Sequence, residues 1–192
     1  MSELGFSRST GYRLLDSLAK FDYIERTQRG TYVLGSFPGP PTNNIQAVFT
    51  SVRDSTGESV QLWIRQNEMR VCVYAVESEQ ALRISKSVGT TLRLVDGGSA
   101  GLALASEPLN TNLVSSNESR EPGCASTSLA FEIASGERLA ICVSYPSARR
   151  PQNIESAFQR DLEIAVRKLQ TLLPGSQQMA KIIEFTNASI AF

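Results

Sequence analysis

Leu4-Gly5-Phe6-Ser7-Arg8-Ser9-Thr10-Gly11-Tyr12-Arg13-Leu14-Leu15-Asp16-Ser17-Leu18, followed by Tyr23-Ile24-Glu25-Arg26 and Thr31-Tyr32-Val33-Leu34, decides how this chain is read. Ser7 is a fitting N-cap, because its hydroxyl can accept from a backbone N–H left unpaired at a helix start. The helix it opens is predicted to run from Arg8 to about Phe21. Gly11, Leu14, Leu15 and Leu18 recur at helical spacing and predict a buried stripe, while Ser9, Tyr12, Arg13, Asp16 and Lys20 fall on the other faces. Residues 23–26 and 31–34 then read as two short strands around a turn at Thr27-Gln28-Arg29-Gly30.

Helix followed by hairpin is the second half of a winged helix-turn-helix. A recognition helix needs short polar residues at its start, where the backbone comes closest to base edges and phosphates. Ser9 and Thr10 meet that need. Arg8 and Arg13 suit phosphate pairing or a two-pronged grip on guanine, and Tyr12 can reach a phosphate or a sugar. Arg29, at the hairpin tip, is placed to touch a minor groove or the DNA backbone. The plainer reading of the same residues is a short amphipathic helix with a solvated face.

Outward from this unit (residues 1–35), the segment 36–44 carries Pro38, Pro40 and Pro41 and reads as a linker. Residues 45–175 form a larger unit, and 176–192 a tail with a short helix near 177–185. Within the larger unit, 45–52 is a short helix candidate. Residues 59–65 and 70–77 pair as a hairpin about Asn67-Glu68, and 81–85 is a shorter strand. Gly97 and Gly98 lead into a helix of small residues ending near Ala105, and 107–122 is irregular. Strands at 124–133 and 138–145 precede a long helix whose face is marked by Ile154, Phe158, Leu162, Ala165, Leu169 and Leu172. Hairpins with helices at the ends predict an α+β fold with an antiparallel sheet.

Composition narrows the chemistry. The 192 residues are 41% apolar and 20% charged, with zero net charge, so any contact with DNA must be local. No apolar run is long enough to span a bilayer and no secretion leader is evident, which predicts a cytoplasmic protein without a membrane partner. The chain has no histidine, which excludes Ser-His-Asp and Cys-His catalytic units and histidine-bound metals. Its three cysteines, Cys72, Cys124 and Cys142, form no CxxC pair, so no metal site, cofactor or disulfide framework is expected. Carboxylate, lysine or cysteine chemistry remains open; a cysteine nucleophile would need another activator, such as Lys86 or a helix N-terminus, and no catalytic residue is assigned.

The same motifs resemble the IclR family of bacterial transcription regulators. Gly5-Phe6 with Ser9-Thr10, Arg13-Leu14-Leu15, Leu18, Tyr23-Ile24 and Tyr32-Val33-Leu34-Gly35 are similar to the family's reader. Thr56-Gly57-Glu58-Ser59-Val60-Gln61-Leu62, Ala100-Gly101-Leu102-Ala103-Leu104-Ala105 and Ser135-Gly136-Glu137 through Pro146 are similar to successive motifs of its effector domain. Together they cover most of residues 4–173. The resemblance implies a winged helix-turn-helix followed by a GAF/PAS-like domain for a small-molecule effector, in a homodimer or homotetramer that reads palindromic double-stranded DNA. It implies effector contacts at Ser99, Ala100, Leu129 (or Ser128, one residue away), Cys142 and Ser144, with the Ser99 and Ala100 N–H groups holding a carboxylate. Core packing is the alternative for Leu129 and Cys142.

The chain departs from the family pattern in three places. The reader lacks counterparts of the family's first helix and most of its second, so it is expected to be incomplete at its N-terminus. The helix between the domains is shortened to the proline-rich linker. Residues 107–122 replace a longer segment that supplies an acidic effector contact, for which Glu118 and Glu121 are the candidates here. A ligand-binding sensor without DNA binding of its own is therefore the second reading.

Overall fold

The computed structural model describes residues 7–20, 24–27, 30–34 and 42–173; Arg29 and the expected helix at 177–185 lie outside them. The chain divides into two compact units, Met1–Thr42 and Asn43–Phe192.

In the first unit, α1 (Arg8–Lys20) starts as its sequence predicts. The Thr10 N–H donates to Ser7 Oγ at 3.2 Å and the Gly11 N–H to the Ser7 carbonyl at 2.9 Å. Gly11 is buried and Leu15 and Leu18 are half-buried, but Leu14 is 53% exposed. The expected stripe is thus narrower than the four-residue pattern: Leu14 lies about 100° round the helix from Leu15, and the described residues leave that side open. β1 (Ile24–Arg26) and β2 (Tyr32–Leu34) pair antiparallel, Ile24 opposite Leu34. The Thr27 N–H donates to the Thr31 carbonyl at 2.8 Å, and Gly30 at φ +77° supplies the left-handed step that closes the turn.

The second unit opens with α2 (Thr42–Thr56), longer at both ends than the expected 45–52. Ile45, Val48, Phe49 and Val52 are buried at helical spacing. Gly57, at φ +73°, ends the helix by donating its N–H to the Arg53 carbonyl at 2.6 Å. Six strands follow: β3 (Ser59–Gln66), β4 (Met69–Val76), β5 (Thr91–Arg93), β6 (Leu113–Asn117), β7 (Cys124–Glu132) and β8 (Arg138–Pro146). They form one antiparallel sheet in the order β5-β4-β3-β8-β7-β6. α3 (Ser99–Ala105) lies between β5 and β6 in sequence, and α4 (Ile154–Leu172) closes the unit, capped where the Ser156 N–H reaches Asn153 Oδ1 at 3.0 Å. The α+β antiparallel architecture is therefore as expected.

Two local expectations fail. Residues 81–85 are not a strand; β5 and β6 take the sheet edges instead, so 107–122 is not wholly irregular. The 81–85 loop is held by side chains: Ser85 Oγ and Arg83 Nε donate to Glu77 at 2.9 and 2.8 Å, and Arg149 Nη2 donates to the Leu82 carbonyl at 2.9 Å. Arg149 also grips the buried Glu58 carboxylate with two bonds of 2.6 and 2.9 Å. Glu58→Gln removes the charge that this buried pair needs, and is expected to lower stability by about 2 kcal/mol in a urea titration. A loss below about 0.5 kcal/mol would mark the pair as an ordinary surface contact.

The sheet has two unlike faces. Val60, Leu62, Ile64, Leu139, Ile141 and Val143 point to one face, where α2 and α4 cover them in the larger core. The residues between them point to the other face, under α3. No described helix is long and apolar enough to cross a membrane.

Candidate functional site

Strand alternation places Gln61 and Trp63 of β3, Arg70 and Cys72 of β4, Ser126 and Ser128 of β7, and Cys142 and Ser144 of β8 toward α3. Ser99, Ala100, Ala103 and Leu104 of α3 are buried against this face. A continuous polar chain runs beneath the helix. Ser99 donates its N–H and its hydroxyl to Ser126 Oγ, at 3.2 and 2.8 Å, and its Oγ is 2.7 Å from Ser128 Oγ and 3.7 Å from Cys142 Sγ. Cys142 Sγ is 3.6 Å from Ser144 Oγ, which donates to Gln61 Oε1 at 2.8 Å.

Four of the expected effector residues thus share one place: Ser99, Ala100, Cys142 and Ser144. Leu129 does not. It packs in the opposite core with Ile141 and Phe131, because a one-residue step along a strand reverses the face, and Ser128 occupies the position beside Ser99. The Ser99 N–H, expected to hold a carboxylate, is occupied by Ser126. Bulky replacement of Ser99, which is 0% exposed, would disturb packing as well as any ligand.

The acidic candidates are engaged elsewhere. Glu118 Oε1 accepts from the Gly123 N–H at 3.1 Å and from Ser147 Oγ at 2.7 Å, bracing a turn. Glu121 pairs with Arg120 at 2.6 Å and Lys86 at 3.3 Å. The Glu121 charge is met by two cations, whereas Glu118 is held by neutral donors alone.

Arg70, which the sequence did not single out, is 2% exposed. Its Nη2 donates to the Gly97 carbonyl at 2.6 Å, and its guanidinium carbon lies 5.4 Å from the Trp63 ring centre. Burial pushes its pKa below the ordinary arginine value, and the nearby Arg120 pushes the same way, while Cys142 and Asp96 act in the opposite direction. Among the described residues, the buried side-chain nitrogens without a hydrogen-bond partner are Arg70 Nε and Nη1, Gln61 Nε2 and Trp63 Nε1. The sequence carries part of the signal: Gln61, Arg70, Ser126 and Ser128 interrupt the apolar pattern of their strands, which becomes an anomaly once helices cover both faces of the sheet.

Burial pushes the Cys72 thiol up to about 12, with the neighbouring Cys142 adding to it, so Cys72 stays protonated and unreactive at neutral pH. Among the described residues no cluster of three or more His, Cys, Asp or Glu side chains could hold a metal ion. A groove of about 520 Å³ between α2 (Asn44, Ala47, Val48) and α4 (Arg167, Lys168, Thr171) lies on the opposite side of the sheet. In the first unit, Ser9, Thr10, Tyr12 and Arg13 are all exposed on α1; the Arg8 side chain and Arg29 lie outside the described residues. The Thr10 and Ser9 hydroxyls gather at Ser7 Oγ, 2.8 and 3.0 Å away, so the helix start is a compact polar surface.

No protein-family model matches the chain, and no curated protein matches it. Solved structures do. A structure described as an IclR transcriptional regulator from Silicibacter sp. aligns at 19% identity over 90% of this chain and 85% of that one, with a TM-score of 0.60. Thermotoga maritima IclR aligns at 14% identity over 91% and 89%, with a TM-score of 0.58. The C-terminal domain of the Escherichia coli transcriptional regulator KdgR aligns at 14% identity over 70% of this chain and 98% of its own, with a TM-score of 0.55. The resemblance read from residues 4–173 therefore holds at the level of fold.

Proposed function

We propose that this chain, which shares the fold of IclR regulators, is itself an effector-responsive bacterial transcription regulator. The observation that carries the reading is the pairing of two features in one chain: a serine-capped helix with an exposed polar start joined to a hairpin, and a sheet domain with a buried polar face under α3. In this reading Arg8, Ser9, Thr10, Tyr12, Arg13 and Arg29 meet DNA. Ser99, Ala100, Ser128, Cys142 and Ser144 surround a small carboxylic or aromatic acid. The working form is a cytoplasmic homodimer or homotetramer without catalytic activity. The effector acts by favouring one arrangement of the readers, which changes their fit to a palindromic operator.

Selection from a random duplex pool at low salt tests the DNA half. Recovery of an inverted repeat is the expected outcome. If Arg13 binds phosphate, Arg13→Ala weakens all sites alike and lowers the salt slope by about one unit. If Arg13 reads a base, the loss is confined to particular sites. Recovery of no motif from folded, oligomeric protein would favour the second reading, a sensor without DNA binding of its own. The observation on that side is the open flank of α1, where Leu14 is 53% exposed.

A further inference from the structure

We propose that Arg70 is the charge-selecting residue of the face under α3: the ligand taken there is a small carboxylate that pairs with Arg70, with the Trp63 indole N–H as co-donor. This rests on the effector-site reading above and adds to it the residue that sets ligand charge. The argument is one of donors and acceptors. All four buried nitrogens left without partners among the described residues are donors, and all belong to the adjacent strands β3 and β4. Two of the four are on one guanidinium. An arginine cannot shed its proton to escape burial, as a lysine can. A buried cation is tolerated only with compensating acceptors. What Arg70 has is one carbonyl, of Gly97, the face of Trp63, and the field of Asp96, whose carboxylate makes no ion pair with it and accepts from the Arg93 N–H at 3.0 Å. The carboxylate of Glu121, next along the chain from Arg120, is taken by Arg120 and Lys86. An oxyanion supplies what is missing in both charge and lone pairs. Arg70 stands opposite Arg65 on β3, so Trp63 is two residues and Gln61 four residues along that strand from it, roughly 7 and 13 Å; Trp63 is the co-donor beside Arg70, and Gln61 bounds the far end of the same face.

Trp63 is the only tryptophan in the chain, so its fluorescence reports this site. The full-length protein is titrated with benzoate, pyruvate, succinate and inorganic phosphate at matched ionic strength, and with benzamide and pyruvamide as uncharged counterparts. Melting temperature is followed in parallel. At least one carboxylate is expected to shift the Trp63 emission and raise the melting temperature, with its amide at least about tenfold weaker. Arg70→Met should weaken that acid about 30-fold or more, and Arg70→Lys less. The unliganded Arg70→Met protein should melt no lower than wild type, because an under-compensated buried charge has been removed. Equal binding of the acid by wild type and Arg70→Met overturns the proposal and leaves the effector reading standing. So does equal binding of acid and amide. A lower melting temperature for unliganded Arg70→Met, with unchanged acid affinity, reassigns Arg70 as a packing clamp for the Gly97 turn. A response to phosphate alone overturns the carboxylate. No response to any compound overturns both the proposal and the small-acid effector.

Discussion

Gly101→Ala is expected to destabilise the protein by about 2 kcal/mol or more, a fall in melting temperature of about 4–8 °C. The sign is the informative part. Replacing a helical glycine with alanine ordinarily stabilises by about 1 kcal/mol, because alanine is the best helix former and glycine among the worst. At Gly101 a Cβ would sit 1.7 Å from Arg70 Nη1 and 2.6 Å from the Leu94 carbonyl oxygen. The guanidinium can swing aside, but only by breaking its 2.6 Å bond to Gly97. The Leu94 carbonyl belongs to the backbone at the turn leading into α3 and cannot yield without moving the helix. Steric cost therefore outweighs propensity. Leu102→Ala, one residue on and 48% exposed, should change stability by less than about 0.5 kcal/mol. Combining Gly101→Ala with Arg70→Met should recover part of the loss and not all of it, since the carbonyl remains. Thermal melts of the four proteins check this; an unchanged or raised melting temperature for Gly101→Ala would show that α3 does not lie this close to β4.

The same contact explains what could and could not be read from the residues. The glycine of Ala100-Gly101-Leu102 was visible as part of a motif, but the reason for it, a buried arginine from a strand about thirty residues earlier, was not. α1 was legible because its signals are local: a capping serine and leucines at helical spacing. Leu14 was misread because spacing tells which residues share a face, not how wide a cover that face receives. β7, β8, β3 and β4 were legible from alternation and from their two hairpins. β5 and β6 were not: Thr91-Leu92-Arg93 and Leu113-Val114-Ser115-Ser116-Asn117 are short and half-polar, and they become strands because β4 and β7 offer them open edges. Conversely, Ala81-Leu82-Arg83-Ile84-Ser85 has the look of a strand, yet no edge is left for it and side chains hold it as a loop. At the site, Ser99, Cys142 and Ser144 followed from the family resemblance. Arg70, Gln61 and Trp63 required knowing that both faces of the central strands are covered. Only then does a polar residue facing α3 become an anomaly in need of a partner.

Phe49→Ala is expected to have the larger thermodynamic effect, about 3–5 kcal/mol, because it empties a site that cannot collapse easily. Phe49 is 0% exposed and meets the Tyr74 ring edge-on, with centroids 4.8 Å apart. The burial term and the aromatic pair are lost together, the pair alone being worth about 1 kcal/mol. Ile45, Val48 and Val52 share its stripe, so the rest of α2 still has reason to pack on the sheet and holds the cavity open. Phe49→Leu keeps most of the volume and should cost only about 1–2 kcal/mol. Urea titrations decide it: a lowered midpoint with unchanged slope gives the core cost, whereas a reduced slope would mean that α2 has detached before global unfolding. A loss for Phe49→Ala below about 1.5 kcal/mol, with unchanged slope, would mean that α2 is only loosely docked. The distinction reaches the proposed function, because α2 begins at Thr42, where the chain divides into its two units. α2 is the element of the second unit that the chain reaches first from the reader, so a helix anchored on the sheet by Phe49 offers an effector under α3 one covalent route to the readers. In the folded Phe49→Leu protein, effector affinity should then be nearly unchanged while the effector's influence on DNA affinity weakens.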